Sequence, residues 1–240
     1  GKKDLLWLSP LAEFKLTKPV RGGIPVCLPW FGVNQRDKQK PSHGFARNVN
    51  WQLANIEDAD DPQQGACTRI EFVLEQFQQQ PHSLFPYPFS ARLTFLMSDS
   101  LSVHLQLTNT GSESLPLTWA LHSYHPVASI TSTRVTGLDD CEYLDNTCGL
   151  ARKRQSGDVV FDGELDRVYI NAGDKQSIIS ASPDNTSIAV EASGCSSAVV
   201  WNPGLEKATE LQDMGAENYQ RFVCVERGNV FDNEVMLLPN

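Results

Sequence analysis

The chain has 240 residues, of which 40% are hydrophobic and 9% aromatic, so it can bury the core of one large all-β domain or two small domains. Its 16 Gly and 14 Pro are close to ordinary usage, which excludes collagen-like and Pro/Gly-rich disordered chains. The net charge of −9 argues against nucleic acid as a partner, and the absence of any apolar run near ~20 residues argues against a membrane partner.

Short β-like runs separated by turn residues occupy most of the chain. Their spacing of roughly ten residues predicts an all-β sandwich or barrel, read as a single domain over 1–240. Only Leu205–Leu211 has a helical pattern, and Asp58–Gly65 and Gln76–Pro88 are predicted loops. The predicted strands are Asn50–Ile56, Cys67–Leu74, Ala91–Met97, Leu101–Leu107, Leu115–Tyr124, Val159–Phe161, Arg167–Ile170, Ser177–Ser180, Ser187–Glu191, Ala198–Trp201 and Arg221–Arg227. The third and fourth form a hairpin.

Two N-terminal segments carry candidate anion-binding residues. The first segment, Arg21–Gly32, contains two prolines and several glycines. These residues predict an extended segment that lines a cleft or cavity rather than a helix or central strand. Arg21 beside two glycines suits an anion, and Arg47 and Lys18 are candidates to join it. In the second segment, Pro41–Arg47, His43 is a candidate donor to a ligand hydroxyl. The alternative for the first segment is a structural loop with a solvated arginine, and the alternative for the second is an ordinary strand entry.

Histidines occur close together in the predicted strand that ends at Tyr124. In a regular strand His122 and His125 point to opposite faces. A zinc ion needs ligands that converge, so the pattern predicts no metal site. A lone strand histidine is more often a hydrogen-bonded structural residue, and that alternative stays open for His122.

The last predicted strand places a carboxylate on an apolar face. Phe222, Cys224 and Glu226 share this face, and a carboxylate there is costly unless it is paired or lies at a cavity. Burial raises the pKa of a carboxyl group toward that of a useful general base. The alternative is a strand-end glutamate in water. Two further segments, Glu164–Tyr169 and Trp201–Pro203, offer a carboxylate, an aromatic face and an amide of the kinds found in sugar sites.

Charge is distributed unevenly. Residues 1–50 carry nine Lys and Arg against three Asp and Glu, whereas residues 51–240 carry eleven against 26. A basic segment on an acidic body suits an acidic partner or a small anion, although composition alone favours an excess of solvated lysines. None of the six cysteines forms a CxxC pair, and the first eight residues lack the apolar segment of a signal peptide. We expect a reduced, cytoplasmic protein.

The order of these motifs resembles that of one enzyme family over nearly the whole chain. Taken together, the segments are similar to the hexose-6-phosphate mutarotase (glucose-6-phosphate 1-epimerase) branch of the aldose 1-epimerase superfamily. The segments are Leu6–Ser9, Arg21–Pro25, Pro29–Gly32, His43–Arg47, Leu121–Tyr124, Asp166–Tyr169, Trp201–Pro203 and Phe222–Glu226.

The resemblance implies a galactose-mutarotase-like β-supersandwich that needs no cofactor and interconverts the anomers of a hexose 6-phosphate. The family's catalytic histidine and glutamate fall on His122 and Glu226. We expect Glu226 to take the proton of O1 while His122 protonates the ring oxygen. The residues that match the family's phosphate-binding or sugar-lining positions are Arg21, Arg47, Lys18, His43 and Asp166.

The sequence departs from the family pattern at three places. His125 and Pro126 stand where the family usually has an aromatic residue. Members usually have about two strands before Leu6–Ser9 and another after a segment like Leu237–Asn240, so we expect a sandwich without those terminal strands. Three other functions remain as alternatives: a catalytically silent sugar-phosphate binding module, an epimerase of unphosphorylated hexoses, and a cupin-like metalloenzyme, which the opposed histidines disfavour.

Overall fold

The computed structural model describes residues 4–15, 18–77, 82–181 and 187–240. It divides the chain into two compact units. Unit 1 combines Gly1–Asn48 with Thr118–Glu234, and unit 2 combines Val49–Leu117 with Val235–Asn240. The single domain predicted over residues 1–240 stays a prediction.

Antiparallel strands dominate the described residues, as the sequence predicts. The strands are β1 (Val26–Cys27), β2 (Gln52–Asp61), β3 (Gly65–Gln76), β4 (Phe89–Met97), β5 (Leu101–Asn109), β6 (Leu115–Leu117), β7 (Trp119–Leu121), β8 (Tyr124–Pro126), β9 (Thr133–Thr136), β10 (Glu142–Asp145), β11 (Ala151–Arg154), β12 (Val159–Val160), β13 (Leu165–Tyr169), β14 (Lys175–Ser180), β15 (Ser187–Glu191), β16 (Ser197–Asn202), β17 (Phe222–Asn229) and β18 (Val235–Leu237). The one α-helix of the described residues is α1 (Gly204–Glu210). Short 3-10 turns cover Ala46–Asn48, Ile130–Ser132, Asn146–Cys148, Asn218–Arg221 and Phe231–Asn233.

Unit 1 is a sandwich of two sheets. An eight-stranded sheet has the order β1-β7-β17-β16-β13-β10-β11, with β8 also paired to β17, and a four-stranded sheet has the order β12-β9-β14-β15. The two sheets share one apolar core, because strands of each sheet turn alternate side chains inward. Its buried members include Val135, Val159 and Ile178 from the smaller sheet and Tyr169, Val200 and Val225 from the larger one.

Two further clusters cover other parts of the eight-stranded sheet. Cys27 of β1 packs with Phe31, Ala120 and Val199 in one of them. In the other, Trp7 stacks on Phe222 with ring centroids 4.4 Å apart; its remaining members are Tyr124, Ala208, Met214 and Cys224. Cys27 and Cys224 are fully buried, so these two cysteines pack as small apolar residues.

Unit 2 contains a four-stranded sheet of order β2-β3-β4-β5 and a two-stranded sheet of β6 and β18. The hairpin predicted around Ser98–Ser100 is confirmed, because Met97 of β4 pairs with Leu101 of β5. The loop predicted over Asp58–Gly65 is shorter than expected. β2 continues to Asp61, whose carboxylate accepts the N–H groups of Gln63 and Gln64 and so closes a tight turn.

The strand predicted over Leu115–Tyr124 is wrong as one element, because it is divided into β6, β7 and β8. β6 pairs with β18, whereas β7 pairs with β1 and β17, so the chain changes sheets at Thr118. The helix predicted at Leu205–Leu211 is present as α1, where the Asn202 side chain accepts the N–H of Gly204. The loop predicted over Gln76–Pro88 includes residues 78–81, which lie outside the described residues.

In the described part of the chain, no helix has both the length and the apolar character needed to cross a membrane.

Candidate active site

A cavity of about 320 Å³ opens in unit 1 and collects most of the residues that the sequence singles out. Six of the seven predicted site residues line it: Arg21, His43, Arg47, His122, Asp166 and Glu226. Lys18 does not line it. Its ammonium is exposed and lies 3.0 Å from the carboxylate of Glu13, which supplies its charge partner.

His122 and Glu226 lie side by side in the cavity. The His122 Nε2 lies 3.4 Å from Glu226 Oε1. Glu226 is 1% exposed, which excludes a strand-end glutamate in water. The His122 Nδ1 and the Glu226 Oε2 are both buried without a hydrogen-bond partner among the described residues. Buried polar atoms without partners are costly, and few of them occur in a folded protein without a functional reason.

Burial shifts the two groups in opposite directions. It raises the pKa of Glu226 well above its ordinary value, the nearby carboxyl of Asp166 adds to the rise, and Arg47 partly opposes it. Burial lowers the pKa of His122 well below its ordinary value, and the electrostatic interactions with His43, Arg47 and Arg21 lower it further. Glu226 is thereby a stronger base and the His122 imidazolium a stronger acid than either is in water.

Two aromatic rings fix the plane of the His122 imidazole. Tyr124 stacks on it with centroids 4.8 Å apart and planes inclined by 7°. Trp201 meets it edge-on at 5.8 Å. The ring is held by packing rather than by a hydrogen bond to Nδ1, so its orientation does not depend on a bound ligand.

His43 enters the cavity from a left-handed turn. Its φ is 65°, and the following Gly44 has φ 68°, where an added Cβ would lie 2.0 Å from the Leu28 carbonyl oxygen. The Gly32 N–H donates to His43 Nδ1 at 3.3 Å, so the neutral ring carries its hydrogen on Nε2. Burial lowers the pKa of His43 to about 3, helped by Arg47. His43 is therefore a neutral hydrogen-bond donor.

Asp166 on β13 is a carboxyl group balanced between its two protonation states. Burial raises its pKa to about 6, the hydrogen bond from Asn146 opposes this, and Glu164 and Asp145 add to the rise. The Asn146 Nδ2 lies 2.7 Å from Asp166 Oδ2. Asp166 is thus held in a fixed orientation at the cavity wall.

The two cavity arginines have different partners. The Arg21 guanidinium donates from Nε and one terminal nitrogen to the Asp213 carboxylate at 3.2 to 3.3 Å, and it also interacts with Tyr124. Arg47 donates to the Ser42 carbonyl at 3.0 Å, and its buried Nε has no partner among the described residues. Arg47 is therefore the less neutralised of the two.

His125 does not line the cavity. Its Nε2 lies 3.1 Å from the Ser123 hydroxyl, and burial lowers its pKa to about 4. Within the described ranges, no group of three or more His, Cys, Asp or Glu side chains converges in a way that would hold a metal ion.

The structure adds two polar residues that the sequence did not indicate. Asn146 lies in a turn of Asp, Asn and Thr, which signals only a change of chain direction. Asp213 lies between α1 and the 3-10 turn at Asn218–Arg221 and has no motif around it. Its contact with Arg21 joins positions 192 residues apart, which no local pattern can reveal.

Comparisons with known proteins agree with this architecture. The family model described as aldose 1-epimerase matches residues 1–240. A protein of Cenchrus ciliaris named "Putative glucose-6-phosphate 1-epimerase" is 37% identical over 244 residues, which cover 99% of this chain and 72% of that protein.

Two solved structures resemble the chain. The "putative mutarotase (YeaD)" from Salmonella typhimurium has a TM-score of 0.87 at 29% identity, and the match covers 99% of this chain and 76% of that one. A galactose mutarotase-like protein from Lactobacillus casei has a TM-score of 0.64 at 19% identity, with 90% and 80% covered. The second likeness concerns the fold alone, and it confirms the predicted galactose-mutarotase-like sandwich. From the full-length family match and these relatives, we conclude that the chain is an isomerase that belongs to the aldose 1-epimerase family.

Proposed function

We propose that the chain interconverts the α and β anomers of a hexose 6-phosphate, with glucose 6-phosphate as the preferred substrate. The observation that carries the proposal is the His122–Glu226 pair, 3.4 Å apart, in a cavity that also holds Arg47. The names of the relatives support the phosphate-bearing substrate. Mutarotation needs one group that removes a proton and one that delivers it, and the pair supplies both.

Ring opening starts from the form of the pair in which Glu226 is a carboxylate and His122 an imidazolium. From that form both pKa shifts favour proton uptake by Glu226 and proton release by His122. Glu226 takes the proton of the C1 hydroxyl, and the electrons of that O–H bond form the carbonyl. The bond between C1 and the ring oxygen breaks, and the ring oxygen takes a proton from the His122 imidazolium. The pair holds one proton before and after the step, so no water has to enter. General acid and base catalysis of this kind contributes ~10²–10⁴-fold for each group.

Reclosure reverses the roles after the aldehyde rotates about the C1–C2 bond. His122 removes the proton of the former ring hydroxyl as its oxygen attacks the other face of C1. Glu226 returns its proton to the carbonyl oxygen. Neutral His43, with its hydrogen on Nε2, and oriented Asp166 are placed to hold sugar hydroxyls, which keeps C1 over the pair during the rotation.

The phosphate assignment falls mainly on Arg47. A dianion is repelled by a chain of net charge −9, so local guanidinium groups must overcome that field. The Arg47 guanidinium has a backbone carbonyl and no carboxylate partner among the described residues, whereas Asp213 already binds Arg21. Arg21 contributes through the donors that Asp213 leaves free.

The Arg21–Asp213 ion pair also favours a second candidate, an epimerase of unphosphorylated hexoses. A cavity that must attract a dianion gains nothing from a carboxylate on one of its two arginines. If Arg21 only shapes the wall, a neutral sugar is the substrate, and the acid and base roles of His122 and Glu226 remain the same.

Replacing Arg47 decides between the two candidates. We expect Arg47→Met to raise KM for glucose 6-phosphate roughly 10- to 100-fold, since a charge-assisted bond of about 1.5–3 kcal/mol is lost. KM for free glucose should change little. The measurement is anomer conversion followed by NMR for both sugars. Arg134→Met is the matched control, because it removes the same charge from an exposed pair with Asp158 outside the cavity. Equal effects of Arg47→Met on both sugars would reject the phosphate assignment.

A further inference from the structure

On the side of β17 that faces β7 and β8, the ladder is interrupted beside Glu226, whereas the ladder with β16 on the other side is continuous. β17 pairs with β7 at Arg227 and with β8 at Cys224. Among the described residues, Val225 and Glu226, which lie between these two pairs, have no ladder partner on that side. The interruption therefore falls at the proposed base.

The chain that faces the interruption also leaves the ladder. The His122 N–H donates to the Pro25 carbonyl at 3.0 Å, and the Ser123 N–H donates to the Leu121 carbonyl at 3.0 Å. Neither of these backbone N–H groups donates to β17. The ladder alone therefore does not fix the distance between His122 and Glu226.

The Ser123 hydroxyl bridges the interruption. It donates to the Val225 carbonyl at 2.7 Å, and this bond is buried. Because its one hydrogen is used there, the His125 Nε2 at 3.1 Å donates to the Ser123 oxygen. The side chains form a short chain of bonds from His125 through Ser123 to β17, and Ser123 and His125 are 8% and 7% exposed, so water does not compete for it.

We propose that Ser123 is a positioning residue that holds His122 at its working distance from Glu226. Ser123 directly follows His122, and Val225 directly precedes Glu226, so the Ser123 hydroxyl joins the two backbones at the point where the ladder does not, and His125 adds a second bond to the Val225 backbone. The inference rests on the proposed proton-transfer pair. A misplacement of about 1 Å between reacting groups can cost ~10²-fold in rate, which makes such a bond consequential for turnover.

Removing the hydroxyl tests this role. We expect Ser123→Ala to lower kcat for glucose 6-phosphate about 10- to 100-fold. KM should stay within about twofold, because the contacts of the phosphate with Arg47 are unchanged. Ser123→Thr, which keeps the hydroxyl, should recover most of kcat.

Ser180→Ala is the matched control. Ser180 is also a buried serine of unit 1, and its hydroxyl bonds Thr133 and the N–H of Ala128. The Ser180→Ala variant should lose about as much unfolding free energy as Ser123→Ala and keep the wild-type kcat. A Ser123→Ala variant that keeps wild-type kcat, or a Ser123→Thr variant that loses as much kcat as Ser123→Ala, would overturn the proposal.

Two further measurements cover the remaining outcomes. If Ser123→Ala does not fold, Ser123→Cys replaces the hydroxyl by a weaker donor of similar size, and a wild-type kcat in that variant would equally reject the role. If the wild-type chain does not turn over hexose phosphates, the proposed function fails, and positioning is then tested without activity. The imidazole nitrogen NMR signals of His122 should shift in Ser123→Ala and not in Ser180→Ala, and unshifted signals in Ser123→Ala would overturn the proposal.

Discussion

Glu226 is placed where a carboxyl group lowers the stability of the fold. It is almost fully buried, one oxygen has no partner among the described residues, and its pKa lies well above its ordinary value because of burial. A group whose pKa is raised by folding supports the folded state below its unfolded pKa of about 4.3, and this support is lost as the pH rises toward the folded pKa.

We therefore predict that Glu226→Gln becomes progressively more stable than the wild type as the pH rises from about 4.5. The difference should grow by at most about 1.4 kcal/mol per pH unit until the folded pKa is passed. Urea unfolding at several pH values measures it. Glu75→Gln, which alters an exposed carboxyl group of β3, is the matched control. A stability difference that is constant, or that shrinks with rising pH, would contradict a raised pKa of Glu226 in the folded state.

Residue identity alone gave part of this site. The alternation of Phe222, Cys224 and Glu226 predicted a carboxyl group on an apolar face, and its burial confirms that prediction. The distance to His122 could not be predicted, because it depends on how β17 lies beside β7 and β8. The sequence also named His122 without indicating that Tyr124 and Trp201 hold its ring.

At the scale of elements, β17 and β7 approach each other closely two residues after Glu226. Gly228 of β17 lies opposite Ala120, and a Cβ added to Gly228 would lie 2.1 Å from the Trp119 carbonyl oxygen. That atom belongs to backbone within a sheet, so it cannot turn aside. Glycine at this position allows the two strands to lie at their observed spacing.

Gly228→Ala should consequently destabilise the fold by about 1–3 kcal/mol or more, the range found for overpacked interiors. Gly163→Ala serves as the control, since an added Cβ there meets nothing within 4 Å, and it should change stability by less than about 0.5 kcal/mol. Denaturant midpoints of both variants and the wild type give the comparison. Equal midpoints for the two variants would contradict the close approach.

Several elements had no sequence signal for physical reasons. β11 is exposed throughout and reads as Ala-Arg-Lys-Arg, so it shows no alternation of apolar and polar residues. β1 has only two residues. The division of the predicted Leu115–Tyr124 strand depends on its partners in two sheets, which lie far away in the sequence. Long strands with regular alternation of apolar and polar residues in the sequence, such as β4 and β5, were predicted well because that alternation is visible without knowledge of their partners.

At the scale of the whole molecule, the cavity draws its residues from segments spread across unit 1. Arg21 and Arg47 come from the basic first fifth of the chain, but Lys15 and Lys18 of the same fifth pair with Glu13. The uneven charge therefore did not by itself locate a site. Seven of the eight motif segments contribute residues to the same cavity, whereas no residue of Leu6–Ser9 lines it.

The central claim is that His122 and Glu226 together transfer the protons of mutarotation on a hexose 6-phosphate. Exchange NMR of α- and β-glucose 6-phosphate tests it most directly, with the exchange rate in buffer subtracted. We predict that the wild-type chain accelerates exchange and that Glu226→Gln and His122→Asn each lose ~10²–10⁴-fold of that acceleration while remaining folded. Acceleration close to that of the wild type in either folded variant would contradict the claim.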